Sequence, residues 1–139
     1  MRKLSIVYFS FLVLINCSND NSINPQAVEV IGKWNLESVK IIEYGSTTTL
    51  TSPDATGSIT FTNSGYSLSM NIEFEGQCES TTGTGKYNIS GNTISFFPTW
   101  GNGFTGTVNG YILIITYEKI LIKQDVLADV TYQFKKEGV

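Results

Sequence analysis

Three observations predict an all-β fold, an antiparallel up-and-down β-barrel of about eight strands. Apolar and polar residues alternate over many short segments, which is the pattern of strands that bury one face. Glycine and asparagine recur between these segments, where tight hairpins need a positive φ. Such short connections leave no room for crossover helices, so sequential strands pair directly. A barrel is preferred to a sandwich, the alternative architecture, because closure removes the exposed edges.

Residues 1–16 have the pattern of a secretory signal peptide. Arg2 and Lys3 precede an apolar run from Leu4 to Ile15. This run is shorter than the roughly 20 residues that a membrane-spanning helix needs, and it fits the apolar region of a secretory signal. We therefore expect residues 1–16 to be removed from the mature protein.

The end of this signal, Leu14-Ile15-Asn16-Cys17, resembles the lipobox of bacterial lipoproteins. The resemblance implies cleavage before Cys17 and acylation of its thiol and its new amine, with chains such as palmitate. A plain signal peptide with an incidental cysteine is the alternative. Several acyl chains anchor a protein more firmly than one chain does. Because Ser18 stands where an aspartate favours inner-membrane retention, the resemblance implies an outer-membrane address, on either the periplasmic or the cell-surface side.

Two segments follow the signal. Residues 17–27, which are the lipidated cysteine and a polar stretch, are expected to form a flexible tether. Residues 28–139 are expected to form one barrel domain. The membrane, reached through the lipid anchor, is therefore an expected partner, and the sequence names no protein partner.

The composition excludes several classes of function. The chain has no histidine and only two cysteines, which excludes zinc sites and Ser-His triads. It also has no phosphate-binding loop, nucleophile elbow or dinucleotide fingerprint. Loss of Arg2 and Lys3 with the signal leaves 7 basic against 12 acidic residues, a net charge of −5 that disfavours nucleic acid. We expect no enzymatic activity, no cofactor and no metal.

The strands follow in chain order. The first, from Lys33 to Tyr44, changes the phase of its alternation, and a bulge near Glu37-Ser38 is expected to restore it. A short alternating run around Ile59 comes next. The clearest strand is 66–75, where every second residue is apolar. Further alternating runs are centred on Ile89 and Tyr132, and turns are expected at Asn63-Ser64-Gly65, Gly91-Asn92 and Asn109-Gly110.

One part of the pattern leaves alternatives open. Tyr111 to Tyr117 is apolar on both faces, so it is either covered on both sides or paired with a neighbouring loop. Lys119 to Lys123 is a second apolar run, interpreted as a continuation of the same hairpin.

Two segments resemble lipocalins. Gly32-Lys33-Trp34 resembles their Gly-x-Trp motif, and Gly85 to Ile94 resembles a hairpin of the lipocalin-like domains in Bacteroidota lipoproteins. The resemblance covers about residues 28–137. It implies a barrel that binds a small apolar molecule, although function transfers between members of a fold by analogy only. The lipocalin arginine that packs over the tryptophan has no counterpart, since Arg2 is the only arginine, and a lysine is expected to replace it.

Seven side chains are candidates for lining a ligand cavity. Trp34 is expected to plug the closed end of the barrel. Trp100 lies in a loop-like stretch, either as a contact at the rim or packed onto the barrel. The others are expected to face inward, as core or as cavity lining, and they are Tyr66, Met70, Phe74, Tyr87 and Phe96.

The acidic residues and the second cysteine are expected to have no chemical role. Glu73 and Glu75, with Glu79 nearby, are interpreted as a solvated outer face, not as an acid/base pair or a calcium site. Cys78 is expected to be a packed or partly buried thiol at a strand end.

Two functions remain open from the sequence. The first is a membrane-anchored binding protein that holds a small apolar molecule in its barrel. The second is a cell-envelope structural or protein-interaction lipoprotein whose barrel is filled and binds no ligand. The inward aromatic residues favour the first, and the Ser- and Thr-rich loops at 46–56 and 79–84 favour the second.

Overall fold

The alternating segments form nine antiparallel strands in the computed structural model, which describes residues 30–123 and 126–139. The predicted signal peptide, the lipidated Cys17 and the tether lie outside the described residues. The strands are β1 (Gly32–Glu43), β2 (Ser46–Leu50), β3 (Ala55–Phe61), β4 (Tyr66–Phe74), β5 (Gln77–Ser90), β6 (Thr93–Pro98), β7 (Phe104–Asn109), β8 (Ile112–Lys123) and β9 (Val126–Lys136).

These nine strands occupy eight positions in one closed barrel. From β3 to β9 each strand pairs with the next, and β1 closes the ring by pairing with both β3 and β9. β2 pairs with the second half of β1, from Val39 to Glu43, whereas β3 pairs with its first half, from Gly32 to Asn35. β2 and β3 therefore follow one another along the same edge of β1. The predicted eight-position, up-and-down barrel is confirmed.

The predicted bulge in β1 is also confirmed. The pairing of β1 with β9 shifts register between Leu36 and Ser38, so Glu37 is the extra residue. One extra residue reverses which face the following side chains point to. Trp34 before the bulge and Val39 after it are both fully buried in the same core.

Alternation in β4 follows the sequence pattern. Tyr66 and Met70 are buried, and the polar residues between the apolar ones are exposed. The turn after β4 was not among the predicted turns. It is formed by Glu75 and Gly76, at φ 51° and 76°, the conformation that two-residue hairpins require.

β8 agrees with one expectation, the continuation of the hairpin through the second apolar run, and differs from others. The two apolar runs form one strand, with a register shift between Tyr117 and Ile120. The left-handed residue Lys119, at φ 52°, lies in this bulge, and its backbone N–H donates to the Asp129 carboxylate at 3.0 Å. The outer face of β8 is not covered, since Ile114 is 38% exposed. The predicted turn at Asn109-Gly110 also lies one residue later, because Asn109 still pairs with Ile112.

The two ends of the barrel are different. The closed end, where β1 begins, is next to the β3–β4, β5–β6 and β7–β8 turns; the open end, where β1 ends, is next to the β4–β5 turn. β6 and β7 have six residues each, and the first residue of β5 paired with β6 is Gly85. β6 and β7 therefore do not extend to the open end, whereas β2 lies there beside the second half of β1. Within the described part of the chain, no helix is long and apolar enough to span a membrane.

Candidate functional site: a cavity at the open end of the barrel

The closed half of the barrel is filled by aromatic side chains. Phe61 contacts Trp34 edge-to-face, with ring centroids 6.5 Å apart, and Tyr87 at 5.0 Å. Phe96 stacks on Phe104 with centroids 4.5 Å apart. Such pairs add about 0.5–1.5 kcal/mol each beyond the burial of their area. This half of the barrel is packed core.

Trp34 is the plug of the closed end, as predicted. It is 0% exposed, and its indole N–H donates to the Val30 carbonyl at 2.8 Å. The ammonium of Lys136 lies 5.7 Å from the ring centroid, within the range of a cation–π contact. Lys136 is therefore the lysine that packs over the tryptophan ring in place of the lipocalin arginine, as expected from the sequence.

The open half contains a cavity of about 150 Å³. Its walls come from β1, β4, β5, β8 and β9 and are mostly aliphatic, in contrast to the aromatic closed half. Isoleucine and valine are shorter than the aromatic residues, and β6 and β7 do not reach this level, so the interior is left unfilled. The lining residues are Val39, Ile41, Ile72, Phe74, Glu75, Gln77, Glu79, Ile120, Ile122, Val130 and Tyr132.

The polar part of the lining comes from one hairpin. Glu75, Gln77 and Glu79 belong to β5 and to the turn before it. Glu79 pairs across the ladder with Ile72, and side chains of directly paired residues lie on the same face of a sheet. Because Ile72 lines the cavity, Glu79 does as well. Glu73, Glu75 and Glu79 are all exposed, as expected of a solvated face. Glu75 and Glu79 nevertheless line the cavity and not the outer face, because the turn at Glu75-Gly76 interrupts the alternation.

Tyr132 forms the border between the cavity and the aromatic core. Its ring meets Tyr117 edge-to-face, with centroids 5.9 Å apart. Burial raises the pKa of the Tyr132 hydroxyl, and the negative charge of Glu79 raises it further. Burial likewise raises the pKa of Tyr117, with smaller contributions from Tyr132 and Tyr66. Both phenols therefore stay protonated at neutral pH and present O–H donors.

One of the seven candidate ligand-lining residues, Phe74, lies on the cavity wall. Tyr87 is half-buried, and its hydroxyl donates to the Thr62 carbonyl at 2.8 Å. Trp100, at 90% exposure, is not packed onto the barrel. The other four are buried in the packed core, and they are Trp34, Tyr66, Met70 and Phe96. Contact of any of the seven with a ligand stays a prediction.

The sequence interpretation missed most of the cavity wall. Val39 and Ile41 are apolar, but whether they point into or out of the barrel depends on the bulge at Glu37. Ile120 and Ile122 alternate with Leu121, a signal that was present in the sequence but that indicates no cavity. Long-range packing decides which inward residues leave a space.

The exposure of Cys78 differs from the prediction. Cys78 is exposed, not packed or partly buried, because it alternates with the inward-facing Gln77 and Glu79. Its partner across the ladder is Glu73. Among residues 30–123 and 126–139 there is no group of three or more Cys, Asp or Glu side chains that could hold a metal ion.

The geometry defines a class of protein: an up-and-down β-barrel, a fold whose interior holds side chains or one small ligand. Here the closed half holds side chains and the open half holds a cavity. The sequence profile of the family described as "Lipocalin-like domain" matches residues 30–124, which is more than half of the chain. The chain therefore belongs to the lipocalin-like domain family. A search of curated proteins found no match.

Proposed function

We propose that this protein binds a small apolar molecule, or the apolar part of an amphiphile, in the cavity at the open end. The observation that carries the proposal is the cavity of about 150 Å³ with its aliphatic walls. Apolar cavities of about this volume bind ligands the size of benzene. Cavities for drug-sized ligands are larger, roughly 300–1,000 Å³. The buried part of the ligand is therefore about six carbon atoms in size.

The expected affinity is modest. Burial of one CH₂ group is worth about 0.8 kcal/mol, so six of them give about 5 kcal/mol before the cost of association. A Kd of 1 mM corresponds to about 4 kcal/mol. Hexan-1-ol is a suitable neutral probe, and its Kd is expected to be about 1 mM or weaker.

Replacement of Ile120 by tryptophan tests where the probe binds. The larger side chain projects into the cavity from β8 and should raise the Kd of hexan-1-ol at least tenfold, because it occupies the space of the ligand. Ile114→Trp is the matched control, since Ile114 lies on the same strand but on the exposed outer face. The Kd is measured by NMR titration. Equal binding by both variants would contradict the proposal.

We also propose that the mature protein is a lipid-anchored lipoprotein of the outer membrane, as in the Bacteroidota lipoproteins that its sequence resembles. The support is the lipobox-like Leu14-Ile15-Asn16-Cys17 and the serine at position 18. A barrel with an open cavity, held at a membrane by acyl chains, would meet apolar molecules where they partition.

Cys17→Ala is expected to release the protein from the membrane fraction and to abolish metabolic labelling with palmitate, because the acylated thiol is lost. Cys78→Ala is the control, since Cys78 is the only other cysteine and should change neither result. Membrane fractionation of host cells measures the first effect. A Cys17→Ala protein that stays membrane-bound and labelled would overturn the anchor.

A further inference from the structure

The cavity has a polar side and an apolar side, and the polar side is acidic. Glu79 and Glu75 line it together with Gln77, all on or next to β5. Among the described residues, the facing walls on β1 and β8 contribute only aliphatic side chains, and no lysine or arginine lines the cavity. A ligand that enters with its apolar part first would leave its polar group beside these carboxylates.

Glu79 is the carboxylate best placed to meet such a polar group. Its side chain is exposed, so its carboxylate is accessible to the polar group of a ligand. Within the described part of the chain it makes no ion pair. Its negative charge raises the pKa of the Tyr132 hydroxyl, which belongs to the opposite wall of the cavity. The carboxylate and the phenol thus line the same cavity from opposite walls.

Two aromatic rings line the same cavity. Phe74 and Tyr132 come from β4 and β9. The faces of aromatic rings attract cations, and the contribution is greater where the cation is partly desolvated. A carboxylate and two rings that line one cavity favour a positive charge and disfavour a negative one, since a carboxylate ligand would be repelled by Glu79.

We propose that the ligand of this cavity is a cationic amphiphile: an apolar tail of about six carbons between the aliphatic walls, and an ammonium group beside Glu79 on the polar side. This inference rests on the proposed function and names the class of ligand. The alternative ligand chemistries, a neutral alcohol and a carboxylate with the same tail, are the comparisons in its test.

The experiment compares hexylamine, hexan-1-ol and hexanoate by NMR titration at pH 7 and low salt. Hexylamine is protonated at this pH, since an alkylamine has a pKa of about 10.4. We expect it to bind about three- to fivefold more tightly than hexan-1-ol, an effect limited by the exposure of Glu79. Hexanoate should bind more weakly than the alcohol. Added salt should reduce these differences, because it screens exposed charges.

Two variants separate a specific contact from the general acidity of the protein. Glu79→Gln should abolish the preference, so that hexylamine binds this variant no more tightly than hexan-1-ol does. Glu73→Gln removes the same charge from the outer face of the neighbouring strand and should keep the preference. If hexan-1-ol binds but the amine is not preferred, or Glu79→Gln keeps the preference, the inference is overturned and the proposed function stands. If none of the three probes binds, both are overturned.

Discussion

Trp34→Ala is expected to lower the free energy of unfolding by about 3–5 kcal/mol, the range for removal of a buried aromatic residue. Trp34 is fully buried, and its indole donates to the Val30 carbonyl at 2.8 Å. The alanine variant would lose this hydrogen bond and the edge-to-face contact with Phe61. It would also leave a void at the closed end of the barrel. Urea denaturation measures the change.

Trp100→Ala is the matched control, because it removes the same side chain from a loop where it is 90% exposed. The free energy of unfolding should change by less than about 0.5 kcal/mol, as for most surface substitutions. If Trp100→Ala destabilised the protein as much as Trp34→Ala, the assignment of Trp34 as the plug of the barrel would be contradicted.

Gly85→Ala is expected to lower the free energy of unfolding by about 3 kcal/mol, at the upper end of the usual cost of overpacking. A Cβ atom at this position would overlap the Phe97 carbonyl oxygen and would lie 2.7 Å from the Pro98 Cα. Both atoms are backbone of the paired strand β6, so no side-chain rotation relieves the overlap. The hairpin would have to open where β6 joins the barrel.

Gly83→Ala controls for the effect of alanine in the same strand. A Cβ at Gly83 would meet no atom within 4 Å, and we expect a change of less than about 0.5 kcal/mol. Urea denaturation of the two variants side by side gives the comparison. Equal stability of Gly83→Ala and Gly85→Ala would refute the close approach of β5 and β6.

Local chemistry made much of the fold predictable. The alternation over residues 66–75 fixes which face of β4 is buried, because the side-chain period of a strand is two. The phase change in the first strand identified the bulge at Glu37, since only an extra residue brings Trp34 and Val39 to the same core. Both features depend on neighbours in the chain, so they can be read from one sequence.

The cavity could not be predicted in the same way. The cavity exists because β6 and β7 are short and because the residues inside the open half are aliphatic. Aliphatic residues leave a space only where the five strands that line the cavity come together in the folded barrel. The inward position of Glu79 depends on the turn at Glu75-Gly76, where a non-glycine residue adopts a positive φ. The first position of that turn holds Glu75 and not a glycine or asparagine, so the sequence did not predict the hairpin.

Isoleucine methyl groups give the most direct test of a barrel that is filled at one end and binds a ligand at the other. The protein is labelled with ¹³C at these methyl groups and titrated with hexan-1-ol. Saturable shifts are predicted for the cavity residues and not for Ile59 and Ile94, which are buried in the core outside the cavity lining. The cavity residues are Ile41, Ile72, Ile120 and Ile122. Shifts at Ile59 and Ile94 of the same size, or no saturable shift at any isoleucine, would contradict a binding cavity at the open end.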